Sequence, residues 1–448
     1  MPQILRKSVW VILLLLLLPA MVPAAADNVA GDSTSPSASG FDWTQIVLAP
    51  GVTGSLEYRQ HFEAYRESLA NGSYEEAETT AKQMVELVTW DAAADRPSRA
   101  RALHNLALVQ HLGQNYDAAI LNYQTAIDII ADDHGLLSDD LVMPLRGLGA
   151  AYFHRQHPDQ ALQTYDRALH ISNVNHGPHS LRQQPILDAV MQIDLQQGNT
   201  GSAVDILDRI LMLHTRKYSR DSEELLPILY QRAQLLDKLG QAYLEQDAWR
   251  QIVDIIRKHR GKSHGDLIEP YLALGRNLVS ELDNVIYRSG PHVINAEWFL
   301  KHALSIAESN PKADWQTRKK CMLALADYYT LVEMHAAARE RYRDVWDMMS
   351  ADEDKLEQRK IELESVVPLS QPHPYRYANF EYNPGNQEID PDDYLAGTML
   401  VRFTINTRGR VKNIEVLEAS PPDFGRMEWR VRRSLKKFVY RPRFADGK

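Results

Sequence analysis

A small residue returns every 42 positions in this chain. Ala77, Ala119, Ala161 and Ala203 stand at that interval, each inside a stretch whose apolar residues follow helical spacing. A fixed step of this size marks an array in which one supersecondary unit is copied along the chain, and it constrains architecture more tightly than composition does. The unit is clearest between Leu145 and Leu169. Leu148, Gly149 and Tyr152 fall on one face of a first helix, Ala161, Tyr165, Ala168 and Leu169 on one face of a second, and His157, Pro158 and Asp159 mark the turn. Small residues let the two helices approach closely, and the rings fill the gap left by the next pair. The loops keep the step as well. His134-Gly135 returns as His176-Gly177, and Ser138, Ser180 and Ser222 are each placed to cap the following first helix, Ser180 with Gln183 as a capping box.

After Ser222 the period loosens. A fifth unit runs over 226–258, a sixth over 271–308 around Ala296 and a seventh over 316–349 around Ala338. The order of small and aromatic positions resembles the tetratricopeptide repeat, and the 42-residue step with polar loops is similar to the kinesin light chain variety. The resemblance implies an α-solenoid of about seven helical hairpins whose inner groove binds peptides or other proteins. Aligned by the repeat, His104, His111, Arg146, Asp188, Gln192 and Gln231 are the candidate peptide-binding residues of that groove; the competing reading makes them ordinary solvent-facing positions.

The ends of the chain follow other rules. Arg6 and Lys7, an apolar run over 9–18 and the small residues Ala24, Ala25 and Ala26 read as a cleaved export signal over 1–26. The dense apolar core is shorter than the ~20 residues a membrane helix needs, and Pro19 and Pro23 interrupt it. The expected location is therefore the periplasm, with an inner-membrane anchor facing the periplasm as the alternative. With the signal removed the protein is not an integral membrane protein, and no cysteine near the cut suits a lipoprotein. Residues 27–55, opening on Asp, Asn, Gly, Ser, Thr, Pro and Ala, read as a flexible linker. The repeats occupy 56–350, and a capping helix with a proline-rich linker occupies 351–391.

Over 392–448 the period changes to two. Met399, Val401, Phe403 and Ile405 alternate with Leu400, Arg402 and Thr404, Thr407-Arg408-Gly409 turns the chain, and 411–417 can return as a second strand. Phe424, Met427, Val431, Leu435 and Phe438 then fall at helical spacing, giving a helix that covers the apolar face of the hairpin. The fold class expected is thus mostly α, a solenoid followed by a small α+β unit of ββα order. Gly397, the alternating strand, Asn406 to Gly409, Val411, Ser420-Pro421, the helix, Phe438, Tyr440, Pro442 and Asp446-Gly447 resemble the C-terminal domain of TonB-family energy transducers. That resemblance implies contact with an outer-membrane receptor or another component of a TonB system.

Two departures qualify it. The family has a further strand after the Asp-Gly, whereas this chain stops at Lys448, so the last strand is missing and the hairpin keeps an unpaired edge, with 375–382 as a candidate to fill it. The first histidine is His61, outside the apolar run, so the proton coupling of the family is not expected.

Charge separates the halves. Residues 396–448 hold 13 Lys and Arg against 5 Asp and Glu, and the rest of the chain 37 against 54. Arg426, Arg430, Arg433 and Lys437 line the helix face opposite its apolar stripe. A solvated face is the plain reading; the functional one is attraction to an acidic partner segment or an anionic envelope polymer such as peptidoglycan. Nucleic acid is not an expected partner, for lack of a groove-reading motif or stacking platform.

Signals of chemistry are missing. Gly261-Lys262-Ser263 ends like a phosphate-binding loop but has Ile256 where that loop needs glycine. His154 with His157, and His176 with His179, lack a third ligand at metal-site spacing. The single cysteine, Cys321, sits in a helical apolar pattern and reads as a small buried hydrophobe. No cofactor is expected. The function expected is a non-enzymatic envelope scaffold binding proteins or peptides; the alternatives are a structural protein of envelope polymers and an enzyme targeted by the terminal domain.

Overall fold

The structure is a computed structural model, and it describes residues 10–16, 47–49, 56–90, 96–280, 291–370, 397–420 and 426–445. The chain divides into two compact units, 28–220 and 221–448, the second also including residues 1–27.

The first unit is four helical hairpins. They are α1 (Leu56–Ala70) with α2 (Tyr74–Trp90), α3 (Arg96–Leu112) with α4 (Tyr116–His134), α5 (Val142–His154) with α6 (Pro158–His176), and α7 (Gln184–Gln196) with α8 (Thr200–Tyr218). Each helix packs on its hairpin partner, and each hairpin on the next. Ala77, Ala119, Ala161 and Ala203 are completely buried, as a close helix approach demands. Tyr123 on α4 packs on Gly147 of the next hairpin, and Tyr165 on α6 packs on Gly149 of its own. A methyl group added at Gly149 would stand 2.8 Å from the Tyr165 ring, so glycine is what lets that ring enter.

The repeat is written into the turns as well as the cores. Gly72, Gln114, Gln156, Gly198 and Gly240, one step apart, all take the left-handed conformation at the hairpin turn, as does Glu333. Between hairpins, Ser138 and Ser180 accept from the backbone N–H two residues on, at 3.3 Å each, but each caps a three-residue 3-10 turn that precedes the helix. Two expectations need correction here. Ser222 makes no such cap, because its hydroxyl donates to the neighbouring Glu224 carboxylate. Gln183 closes no capping box; with the 3-10 turn inserted, its amide reaches the Gly177 carbonyl at 2.9 Å.

The second unit holds three more hairpins, α9 (Leu226–Lys238) with α10 (Ala242–Arg260), α11 (Ile268–Ser280) with α12 (Pro291–Ser309), and α13 (Trp315–Leu331) with α14 (His335–Ser350). A short helix, α15 (Leu356–Arg359), follows, and then a further helical turn over 360–364. Among the described residues no helix is long and apolar enough to cross a membrane.

Three strands and a helix complete this unit toward the C-terminus: β3 (Gly397–Ile405), β4 (Val411–Ser420), α16 (Arg426–Leu435) and β5 (Val439–Tyr440). The alternation of β3 places Met399, Val401 and Phe403 in a core with Val411, Val431, Leu435 and Tyr440. Gly409 takes a φ of 74°, and a side chain there would strike the Tyr440 carbonyl at 2.1 Å, so the β3–β4 turn is pressed against β5. The strand following α16 does not lie on β3. It pairs instead with β2 (Pro368–Ser370), so part of the segment read as linker is built into a second small sheet. The outer edge of β3 carries β1 (Trp10–Leu16), antiparallel, with Trp10 opposite Phe403 and Leu16 opposite Gly397. The candidate strand at 375–382 lies outside the described residues.

The terminal strands are clamped to the last hairpin. Arg441, 7% exposed, meets both oxygens of Asp327 on α13, at 2.9 and 2.6 Å, and donates to the Glu362 carbonyl at 2.7 Å. The Tyr342 hydroxyl on α14 donates to the same Asp327 carboxylate at 2.7 Å. The Phe444 N–H donates to the Leu363 carbonyl, and its ring packs near Tyr342 and Trp346.

Candidate functional site

The first helices of unit 28–220 carry most of the residues read as a groove, and the structure sorts them. His104 is completely buried on α3, its ring edge-on to Tyr123 at 5.4 Å. His111 is buried too, against Tyr116 and His154 at 5.3 and 5.1 Å, while Tyr116 and His154 stack nearly parallel. Burial, helped by His154, pushes the His111 pKa down to about 3. Both histidines are therefore corrected from groove surface to interior. The repeat aligned them with half-exposed positions of later helices, but on α3 that face is packed shut.

Arg146 and Asp188, one repeat step apart on α5 and α7, are half-buried and act on each other electrostatically. Burial raises the Asp188 pKa to about 6, opposed by a hydrogen bond with Gln184 and by the Arg146 charge. Burial likewise lowers that of Arg146. Gln192, one turn beyond Asp188, is exposed. Gln231 is exposed on α9 and belongs to the other unit. The structure thus brings together Arg146, Asp188 and Gln184.

One residue that the sequence reading missed has the contact a peptide groove requires. Asn105, buried on α3, accepts from the Leu48 backbone N–H at 3.0 Å through Oδ1 and donates to the Leu48 carbonyl at 2.9 Å through Nδ2. A carboxamide that reads both polar groups of one residue recognises an extended backbone whatever its side chain. Val47 adds apolar contact with the cluster that contains Tyr58, Phe62 and Tyr65. The Tyr65 hydroxyl donates to the Asn105 carbonyl at 2.8 Å and steadies the helix beneath. Residues 47–49 thus lie on the repeats as a bound peptide would, although they fall in the stretch read as flexible linker. Asn105 has no counterpart one step later, where Gly147 stands, so the repeat alignment gave no hint of it.

On the terminal module the basic helix face is only partly described. Arg426 and Arg430 have side chains outside the described residues. Arg433 is exposed and lies over the Trp429 ring at 5.1 Å, and Lys437 is exposed in the turn after α16. A second set of cations, not singled out by helical spacing, gathers beside the start of β4. Arg410, Lys412, Arg432 and Lys436 line a cavity of about 640 Å³ together with Val411, Asn413, Ile414 and Glu333.

Among the described residues no group of three or more His, Cys, Asp or Glu could hold a metal ion. Cys321 is buried, and burial pushes its thiol up to about 12, which leaves it protonated and unreactive at neutral pH.

Neither the protein-family models nor the curated proteins yield a match to this chain. Solved structures do. Nearly identical TPR-like repeats of kinesin light chain type from Podosopora anserina align over 47% of this chain and all of theirs, at 16% identity and a TM-score of 0.40. BtubC from P. vanneervenii aligns over 62% of this chain and 91% of its own, at 15% identity and a TM-score of 0.27. The quorum sensor NprR from B. thuringiensis aligns over 66% and 89%, at 11% identity and a TM-score of 0.33. These similarities name no family for the chain. What bears on function lies in its own side chains.

Proposed function

We propose that the chain is a non-enzymatic interaction scaffold whose N-terminal hairpins hold extended segments of protein partners. The observation that carries this reading is the two-sided grip of Asn105 on the backbone of Leu48. The grip uses no feature of the leucine side chain, so an incoming strand can take the same bonds. Two hairpins further on, the half-buried Asp188 on α7 favours a cationic residue of a partner, because a cation offsets the cost of ionising a carboxyl removed from water.

The apolar run and small residues at the N-terminus support export to the periplasm, with residues 1–26 removed. The terminal module supports a link to outer-membrane transport of the TonB kind. Its β3 edge is long enough to carry seven residues in antiparallel register, and removal of the leader frees that edge for a partner strand. Cell fractionation that finds the protein in the cytoplasm with residues 1–26 attached would exclude the export reading.

The groove is tested with the chain's own stand-in ligand. Leu48→Pro removes the N–H that Asn105 accepts from and should release the segment. A labelled synthetic peptide of residues 41–54 is then expected to bind the variant in trans, and to lose binding when Asn105→Ala is added. If the folded Leu48→Pro variant ignores the peptide, or binds it equally well without Asn105, the groove reading is wrong.

A further inference from the structure

The cleft beside β4 sets two lysines that have no ion-pair partner among the described residues next to a strand edge. In the sheet order β1-β3-β4, β4 is the outer strand, and among the described residues no strand lies beyond it apart from the single bridge between Arg410 and Val439. Its Ile414 carbonyl accepts from Arg432 Nη1 at 2.7 Å, a side chain of α16. At Asn413 the backbone turns left-handed, with φ 51°, and the β3–β4 register shifts nearby. Such a bulge ends regular pairing and re-aims the flanking side chains.

The charges in the cleft divide into two kinds. Arg410 is held by Glu333 at 2.7 Å, and Arg432 by Glu428 at 2.7 Å. Lys412 and Lys436 are exposed and have no ion-pair partner among the described residues, although they line the same cavity. Four cations and one carboxylate around one concavity give it a positive potential, in a segment with 13 basic residues against 5 acidic ones.

We propose that this cleft binds an acidic, extended stretch of a protein partner. The partner's carboxylates pair with Lys412 and Lys436, and its backbone lies along the outer edge of β4, where its N–H takes the Ile414 carbonyl in place of Arg432. A polyanion without a peptide backbone, such as a sulfated polysaccharide, satisfies the lysines but has no use for the strand edge, and the edge decides between the two. The site is separate from the Asn105 groove and from the β3 edge, and stands or falls without them.

The test is fluorescence anisotropy on the full chain with a labelled twelve-residue peptide alternating glutamate and threonine. Binding is expected, and it should weaken as salt rises from about 50 to about 300 mM, as exposed charge pairs do when the screening length shortens. Lys412→Glu with Lys436→Glu, both at exposed positions, should weaken it about tenfold or more, since each reversal removes an attraction and adds a repulsion. A glutamine version of the peptide, and a glutamate version with alternate backbone nitrogens methylated, should each lose binding. The proposal is overturned if the lysine reversals have no effect, if the methylated peptide binds as well as its parent, or if heparin binds where the peptide does not.

Discussion

Replacing Arg441 by alanine should loosen the terminal module from α13 and α14 while leaving the N-terminal hairpins as they are. Burial by itself disfavours the arginine charge, but its hydrogen bonds to Asp327 and the charges of Asp327 and Glu362 outweigh that, and its pKa stands above the ordinary value. Truncation leaves Asp327, whose side chain is only 18% exposed, with the Tyr342 hydroxyl in place of a bidentate guanidinium. Orphaning one member of a buried pair costs roughly 3–5 kcal/mol, more than the net worth of the pair itself. A chain of two compact units has no single unfolding free energy, so the measurement is hydrogen exchange resolved by segment. At about 1.4 kcal/mol per decade, protection over 397–405 and 431–444 should fall by roughly two to three and a half decades. Protection of α4 and α6 should not change. Because the cost comes from an unpaired charge, adding Asp327→Ala to Arg441→Ala should restore much of the protection. A fall of less than about threefold, or an equal fall in α4 and α6, would refute the clamp.

Two further outcomes follow from the N-terminal unit. The Asp188 pKa is raised from 3.8 to about 6 in the folded chain, so the folded state holds the proton more tightly. The stabilising contribution of this group is full below about pH 4 and is lost as pH rises through about 6; Asp188→Asn should remove that slope and stabilise the unit at pH 7 by no more than about 3 kcal/mol, as read from urea titrations at pH 4, 5, 6 and 7. Ala161→Glu puts a carboxylate where no solvent reaches and should cost several kcal/mol, whereas Asp132→Ala removes only an exposed pair with Arg96 and should cost less than about 1 kcal/mol; equal melting temperatures for the two would show the repeat register to be wrong.

What the sequence conveyed and what it withheld differ by range. A repeat is legible because each copy restates the same local rules. Close packing needs the alanines at 77, 119, 161 and 203, which recur at a step the eye can find, whereas the left-handed turn position recurs in the backbone but is filled by Gly72, Gln114, Gln156 and Gly198 and so does not stand out in the sequence. Contacts made once have no second copy to betray them. Asn105 holds a residue 57 positions away, from a stretch that opens with the composition of a tether and carries no repeat spacing to mark Leu48. Arg441 holds Asp327 across 114 positions, and in the sequence it is one more cation in a basic tail. The alignment that put His104 in the groove with Arg146 and Asp188 failed at His104 for the same reason, since repeat equivalence says which face a residue is on and not what packs against that face.

The same distinction changes what the basic tail means. Counted along the sequence, the terminal cations form one block, and a block of like charge is ordinarily a solvated surface. In the fold, five of them meet three different fates. Arg441 is consumed in the clamp, and Arg410 and Arg432 are neutralised by Glu333 and Glu428 at the rim of the cleft. Lys412 and Lys436 keep their charge exposed beside an unpaired edge. A folding pressure alone accounts for the first two groups, because each cation has its carboxylate. It does not account for two exposed lysines that line one concavity with no ion-pair partner among the described residues, which is why the cleft is the part of this module where charge is read as recognition.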